Sequence, residues 1–108
     1  MNETQLVRLC IAYLLLKDHF VWRNNTGVTR SSYTNKFGQQ KDRMWRAGMK
    51  GSSDILGVTK DGKFLAVECK IGKNKTTPIQ EEFLLSIKGR GGVAIVAYDV
   101  SDLEKAGL

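Results

Sequence analysis

The sequence predicts one α/β domain built on a sheet covered by helices. Three observations predict it. The stretch "FLAVECKI", residues 64–71, is apolar on both strand parities, the pattern of a strand in the middle of a covered sheet. A second apolar run, "VAIVAYD" at 93–99, reads as another buried strand. Around these runs stand capped helix starts, so helices and strands alternate along the chain.

Taken in order, Asn2 can cap a first helix, with Gln5 three residues on to return the bond. That helix runs through "LVRLCIAYLLLK" to about Asp18, and its apolar residues lie nearly all round, so it is expected to be largely buried. "FVWRNN", residues 20–25, follows as a short strand. Residues 26–51 show no clear period and carry Arg30, Lys36, Lys41, Arg43, Arg46 and Lys50 against Asp42 alone. They read as a long basic loop with a helical turn near "QQKDRMW", and a loop of this length in a small domain points to function or disorder. "DILGVT" (54–59) is a strand, "KDG" a turn, and "FLAVECKI" the next strand. Thr77-Pro78-Ile79-Gln80 opens a helix with a cap, a proline at its first position and a capping-box glutamine. It ends at the glycines from Gly89 onward. The strand at 93–99 follows, and Ser101-Asp102-Leu103-Glu104 opens a short last helix.

The composition sets the class. A chain of 108 residues with 42% hydrophobic residues forms one core and one domain, 1–108. Its 17 Lys and Arg outweigh 11 Asp and Glu, giving +6, a balance that favours a polyanionic partner, most often nucleic acid. The two cysteines, Cys10 and Cys69, form no CxxC pair, and the one histidine, His19, has no thiol nearby in sequence, which argues against zinc. Both thiols fit small core residues in a reducing, cytoplasmic setting. The apolar run from Leu6 to Leu16 is too short to span a membrane and is interrupted by Arg8.

Glu68 and Lys70 are two residues apart on the central strand and therefore share a face. Charges there are costly unless they are paired or bind something. A three-residue "KDG" turn with Gly62 in the left-handed conformation would pair Thr59 with Lys63 and Leu56 with Ala66, and so bring Asp54 opposite Glu68. A two-residue Asp61-Gly62 loop would put the two acids on opposite faces, and the apolar pattern does not choose between these turns. If the acids meet, like charges need a cation between them. Two carboxylates offer hard oxygen ligands suited to Mg²⁺ or Mn²⁺. With Lys70 to orient water or offset charge, the outline is that of phosphodiester hydrolysis. The plain alternative is a Glu68–Lys70 ion pair at the solvent end of the strand.

Gly51-Ser52-Ser53-Asp54, then thirteen residues, then Glu68-Cys69-Lys70 resembles the PD-(D/E)XK nuclease signature. With "VWRNNTG" upstream, "GSSDILGV", "DGKFLAVECK", Gln80 on the following helix and "GGVAIVA" downstream, nearly the whole chain resembles the VRR-NUC domain, the virus-type replication-repair nuclease. That resemblance implies a restriction-endonuclease-like mixed sheet flanked by helices with an αβββαβ core. It also implies metal-binding roles for Asp54, Glu68 and the Cys69 carbonyl, a catalytic role for Lys70, and a place at the site for Gln80. Glu3 resembles the extra acid of related junction resolvases, and equally fits a first-turn glutamate favoured by the helix dipole. Ser53 stands where the family name has proline.

The resemblance implies a Mg²⁺- or Mn²⁺-dependent DNA endonuclease, selective for branched or junction DNA in phage-type replication and repair, acting as a homodimer. Arg23, Asn24 and Asn25 are candidates for phosphate contacts near the site, and the bases from Arg30 to Lys50 for a backbone clamp. Tyr33 and Trp45 are candidates for base stacking, whereas Trp22 and Phe83 read as core. The competing readings are a non-catalytic nucleic-acid-binding module using the basic loop, and a ribonuclease.

Overall fold

The computed structural model describes the backbone of residues 1–24 and 27–108, and the side chains outside 27–31, 33 and 42–47. In chain order the elements are α1 (Glu3–Leu16), β1 (Phe20–Arg23), β2 (Gly27–Thr34), β3 (Gln40–Ala47), β4 (Ile55–Val58), β5 (Phe64–Cys69), α2 (Pro78–Lys88), β6 (Val93–Ala97) and α3 (Val100–Lys105). Strands β1-β4-β5-β6 form one mixed sheet, antiparallel from β1 to β5 and parallel between β5 and β6. Helix α2 is the crossover that a parallel neighbour requires.

The expected central strand lies in the sheet interior, and β5 is buried from Leu65 to Cys69. Leu65, Val67 and Cys69 face a cluster built with Leu6, Val7, Cys10 and Leu14 of α1 and Leu103 of α3. Ala66 faces the other way, into a smaller cluster with Leu84 of α2 and Ala94 of β6. Helices thus cover both faces, and burial of these side chains supplies the main stabilisation, ~1.5–3 kcal/mol for each large one.

Several sequence expectations change. The expected long loop holds two strands: from residue 27 on, β2 and β3 pair as an eight-residue antiparallel hairpin, from Gly27 opposite Ala47 to Thr34 opposite Gln40. No helical turn forms near 39–45, because those residues enter the ladder. Helix α1 buries one stripe rather than its whole circumference, leaving Leu9, Leu15 and Leu16 exposed. The last helix is capped by Asp99, two residues before Ser101, with Asp102 closing the capping box. The caps at Asn2 and Thr77 form with the expected partners Gln5 and Gln80.

Trp22 is also not core. It lies 45% exposed, with Phe20 at 70%, on a part of the sheet face that α2 does not reach. Their rings stand 5.8 Å apart, and Phe20 lies in register with Val58, which pairs with Phe64. Phe83 packs against the α2-side cluster as expected. No helix among the described residues is long and apolar enough to cross a membrane.

Candidate active site at the end of the central strand

The β4–β5 turn decides the register. Gly62 takes φ +91°, Thr59 N–H donates to the Lys63 carbonyl at 2.7 Å, and Leu56 pairs with Ala66. This is the three-residue turn, whose left-handed position suits glycine. Asp61 accepts from the Thr59 hydroxyl at 2.8 Å and reinforces it. His19 is buried, and its Nδ1 accepts the Lys60 N–H at 3.1 Å, tying the turn to the end of α1.

That register carries Asp54 to Glu68. Asp54 Oδ2 accepts the Cys69 backbone N–H at 2.9 Å, which fixes the carboxylate against the end of β5. Glu68 is 2% exposed. Its Oε1 accepts from Gln80 Nε2 at 3.2 Å and lies 3.9 Å from Lys70 Nζ, while its Oε2 is buried without a hydrogen-bond partner. Burial first, then the charge of Asp54 and a hydrogen bond with it, push the Glu68 carboxyl up to about 8, with Lys70 acting in the opposite sense. Glu3, in the first turn of α1, adds a small like-charge contribution to Glu68.

Gln80 holds two roles. Its Oε1 accepts the Thr77 N–H at 2.9 Å as the capping box requires, and its Nε2 reaches Glu68. The segment before Asp54 is fastened from two sides. Asn24 N–H donates to the Asp54 carbonyl at 2.7 Å, and Asn24 Nδ2 donates to Ser52 Oγ at 2.7 Å and the Ser53 carbonyl at 3.0 Å. On the other side Gly51, at φ +83°, lies against Ile79, where an added Cβ would sit 2.8 Å from the Ile79 carbonyl oxygen. Asn24 therefore positions the acid loop, a role that sequence spacing did not signal because its partners lie 28 and 29 residues away.

Asp54, Glu68, Lys70 and Gln80 thus meet at one place, with the Cys69 main chain between the acids. Arg23 is exposed at the end of β1, opposite Ile55. Asn25 lies outside the described residues. Arg30 pairs in register with Met44, Arg43 with Ser31 and Arg46 with Val28 on the hairpin, and their side chains lie outside the described set, as do those of Tyr33 and Trp45. Lys36, Lys41 and Lys50 are exposed. Lys50 lines a groove of about 450 Å³ beside α2, with Met49, Ile79 and Phe83.

Among the described residues, no three or more His, Cys, Asp or Glu side chains gather into a group able to hold a metal ion. The acid donors at this site are the two carboxylates. They suit a hard divalent cation nonetheless: both are oxygen donors, one buried oxygen is unpartnered, and water and main-chain carbonyls ordinarily fill the rest of such a shell. A comparison with protein-family models gives no match, and a comparison with curated proteins gives none.

Proposed function

We propose that this chain is a metal-dependent DNA endonuclease of the VRR-NUC kind, hydrolysing phosphodiester bonds with Asp54, Glu68, Lys70 and Gln80. The observation that carries this reading is Glu68: a buried carboxylate with an unpartnered oxygen, held beside a second acid and a lysine. An acid pair that is costly to ionise without a cation is stabilised by binding one. The αβββαβ core of the restriction-endonuclease-like fold accords with the order and sheet placement of α1, β1, β4, β5, α2 and β6. The ribbon β2–β3 is then an insertion between β1 and β4.

Asp54 and Glu68, with the Cys69 carbonyl, are the residues that would hold Mg²⁺ or Mn²⁺; Glu3 is kept as an outer charge near Glu68. Such an ion supplies Lewis-acid polarisation of a phosphoryl oxygen and acidifies water. Lys70 places a positive charge where negative charge builds on the attacked phosphate and orients water toward it. Gln80 restrains the Glu68 carboxylate through its amide. Arg23 and the basic residues from Arg30 to Lys50 hold the DNA backbone. A homodimer supplies two centres for two strands, and the uncovered apolar row around Phe20, Trp22, Val58 and Phe64 is the face we assign to the second copy.

The experiment is cleavage of labelled branched, duplex and single-stranded DNA, and of RNA, with Mg²⁺, Mn²⁺ or EDTA. Metal-dependent scission of branched DNA is the expected result. Full cleavage in EDTA would sink the metal reading. Tight binding without scission in any metal would favour a non-catalytic module, the reading that the basic ribbon on its own supports.

A further inference from the structure

Resting on the nucleic-acid reading above, we propose that the apex of the β2–β3 ribbon is a base-stacking wedge. Phe37 is the wedge, Lys36 and Lys41 are its phosphate contacts, and the ligand is DNA carrying an unpaired or unstacked base. Phe37 is 76% exposed and belongs to neither hydrophobic cluster. Its ring contributes nothing to the core. The apex beneath it is nonetheless tightly built. Asn35 Oδ1 accepts the N–H groups of Phe37 at 2.9 Å and Gln39 at 3.0 Å. Asn35 Nδ2 donates to Gln39 Oε1 at 3.1 Å, and two backbone bonds, Asn35 N–H to Gln39 and Gly38 N–H to Asn35, close the turn. Gly38 at φ +77° makes the reversal.

A rigid turn that presents a bare aromatic ring is preorganised for a flat apolar partner. The charge around it selects which partner. Lys36 Nζ sits 5.2 Å from the ring centroid, Lys41 is exposed nearby in the chain, and Asp42 is the one acid between residues 26 and 51. An exposed ring with one cation against it and a second on the same ribbon matches a base with its phosphate backbone. A two-stranded ribbon also fits the width of a DNA groove. Inserting a ring between paired, stacked bases costs unstacking energy, and that cost is least where a base is already unpaired. The wedge therefore favours a branch point or end over intact duplex.

The test measures binding of the full chain, without divalent metal, to a labelled three-way junction with unpaired bases and to a matched duplex. Wild type is expected to prefer the junction. Phe37→Ala is expected to weaken junction binding roughly 5- to 150-fold, the range for loss of one stacked base, and duplex binding by less than about 2-fold. Phe37→Trp restores the preference. Lys36→Ala and Lys41→Ala weaken both ligands and each lower the salt slope by about 0.9. Equal effects of Phe37→Ala on both DNAs, or none, overturn the wedge while leaving the nuclease reading intact if wild type still cleaves. A wild-type chain that binds no DNA overturns both. A lower light-scattering mass for Phe37→Ala would make the apex a contact between copies, which also overturns the proposal. Circular dichroism checks that the variants are folded.

Discussion

Gln80 is one side chain with two dependants: the first turn of α2 and the buried acid Glu68. Gln80→Ala is expected to cost about 1 kcal/mol through the cap and to reduce cleavage beyond what that loss explains. Gln80→Glu keeps the capping box but removes the amide donor, so it separates the effects: near-normal helix stability at low pH, impaired cleavage. Wild-type activity in Gln80→Glu would confine the residue to capping. Glu68 itself gives a pH prediction. Between its ordinary 4.5 and about 8 the folded chain holds a proton on Glu68 that the unfolded chain has released. Stability without metal therefore falls as pH rises through that window. Melting curves across it should show the decline, Glu68→Gln should flatten it, and Mn²⁺ should reverse it at the alkaline end. A wild-type profile as flat as that of Glu68→Gln would contradict the buried acid pair. Glu68 and Lys70 were legible as neighbours on one face because spacing on one strand places them, whereas Asp54 joins them only through the three-residue turn, one of two that the sequence allowed. The support from Asn24 and the buried seat of His19 were not, since both depend on contacts from distant parts of the chain.

At the scale of elements, the caps at Asn2 and Thr77 were readable because their chemistry is local, and the turn at Gly62 was readable as one of two alternatives, since apolar residues on both strand parities leave the register open. The ribbon was not. Its strands, GVTRSSYT and QKDRMWRA, carry no steady apolar–polar alternation, the signal by which a half-buried strand is read. The exposed leucines of α1 and the outward Trp22 misled for another reason, because apolar residues predict burial only where a neighbouring element covers them. The loop from Gly51 to Asp54 supplies the element-scale prediction. Gly51→Ala adds a Cβ in a left-handed conformation, against the Ile79 carbonyl. It is expected to cost about 1–3 kcal/mol and to move Asp54 away from Cys69, lowering cleavage more than stability. Retained full activity with unchanged melting would mean that the loop has room the close approach denies.

The whole molecule extends 58 × 31 × 28 Å and carries +6. Binding to duplex DNA should weaken steeply with salt, with a log–log slope of roughly −4 or steeper if several phosphates are neutralised. A flat dependence would remove the ribbon and its neighbours from the backbone clamp. Light scattering should give the mass of two chains, and Phe20→Asp or Trp22→Asp should reduce it to one without unfolding the body. A fully active wild-type monomer would refute the dimer. Charge was plain from composition; the division into a layered body and a basic ribbon was visible only in three dimensions.

The ribbon leaves and re-enters the body at adjacent strands. β1 and β4 are paired neighbours, and the Asn24–Asp54 backbone bond continues their ladder past the last strand residues. The body is therefore indifferent to how much chain hangs beyond that clasp. Each doubling of such a loop costs only about 0.6 kcal/mol in closure entropy, while each added pair of strand residues lengthens the arm by about 3.3 Å. Reach is a nearly free variable in this architecture, and lineages sharing the acid site have room to differ in arm length first.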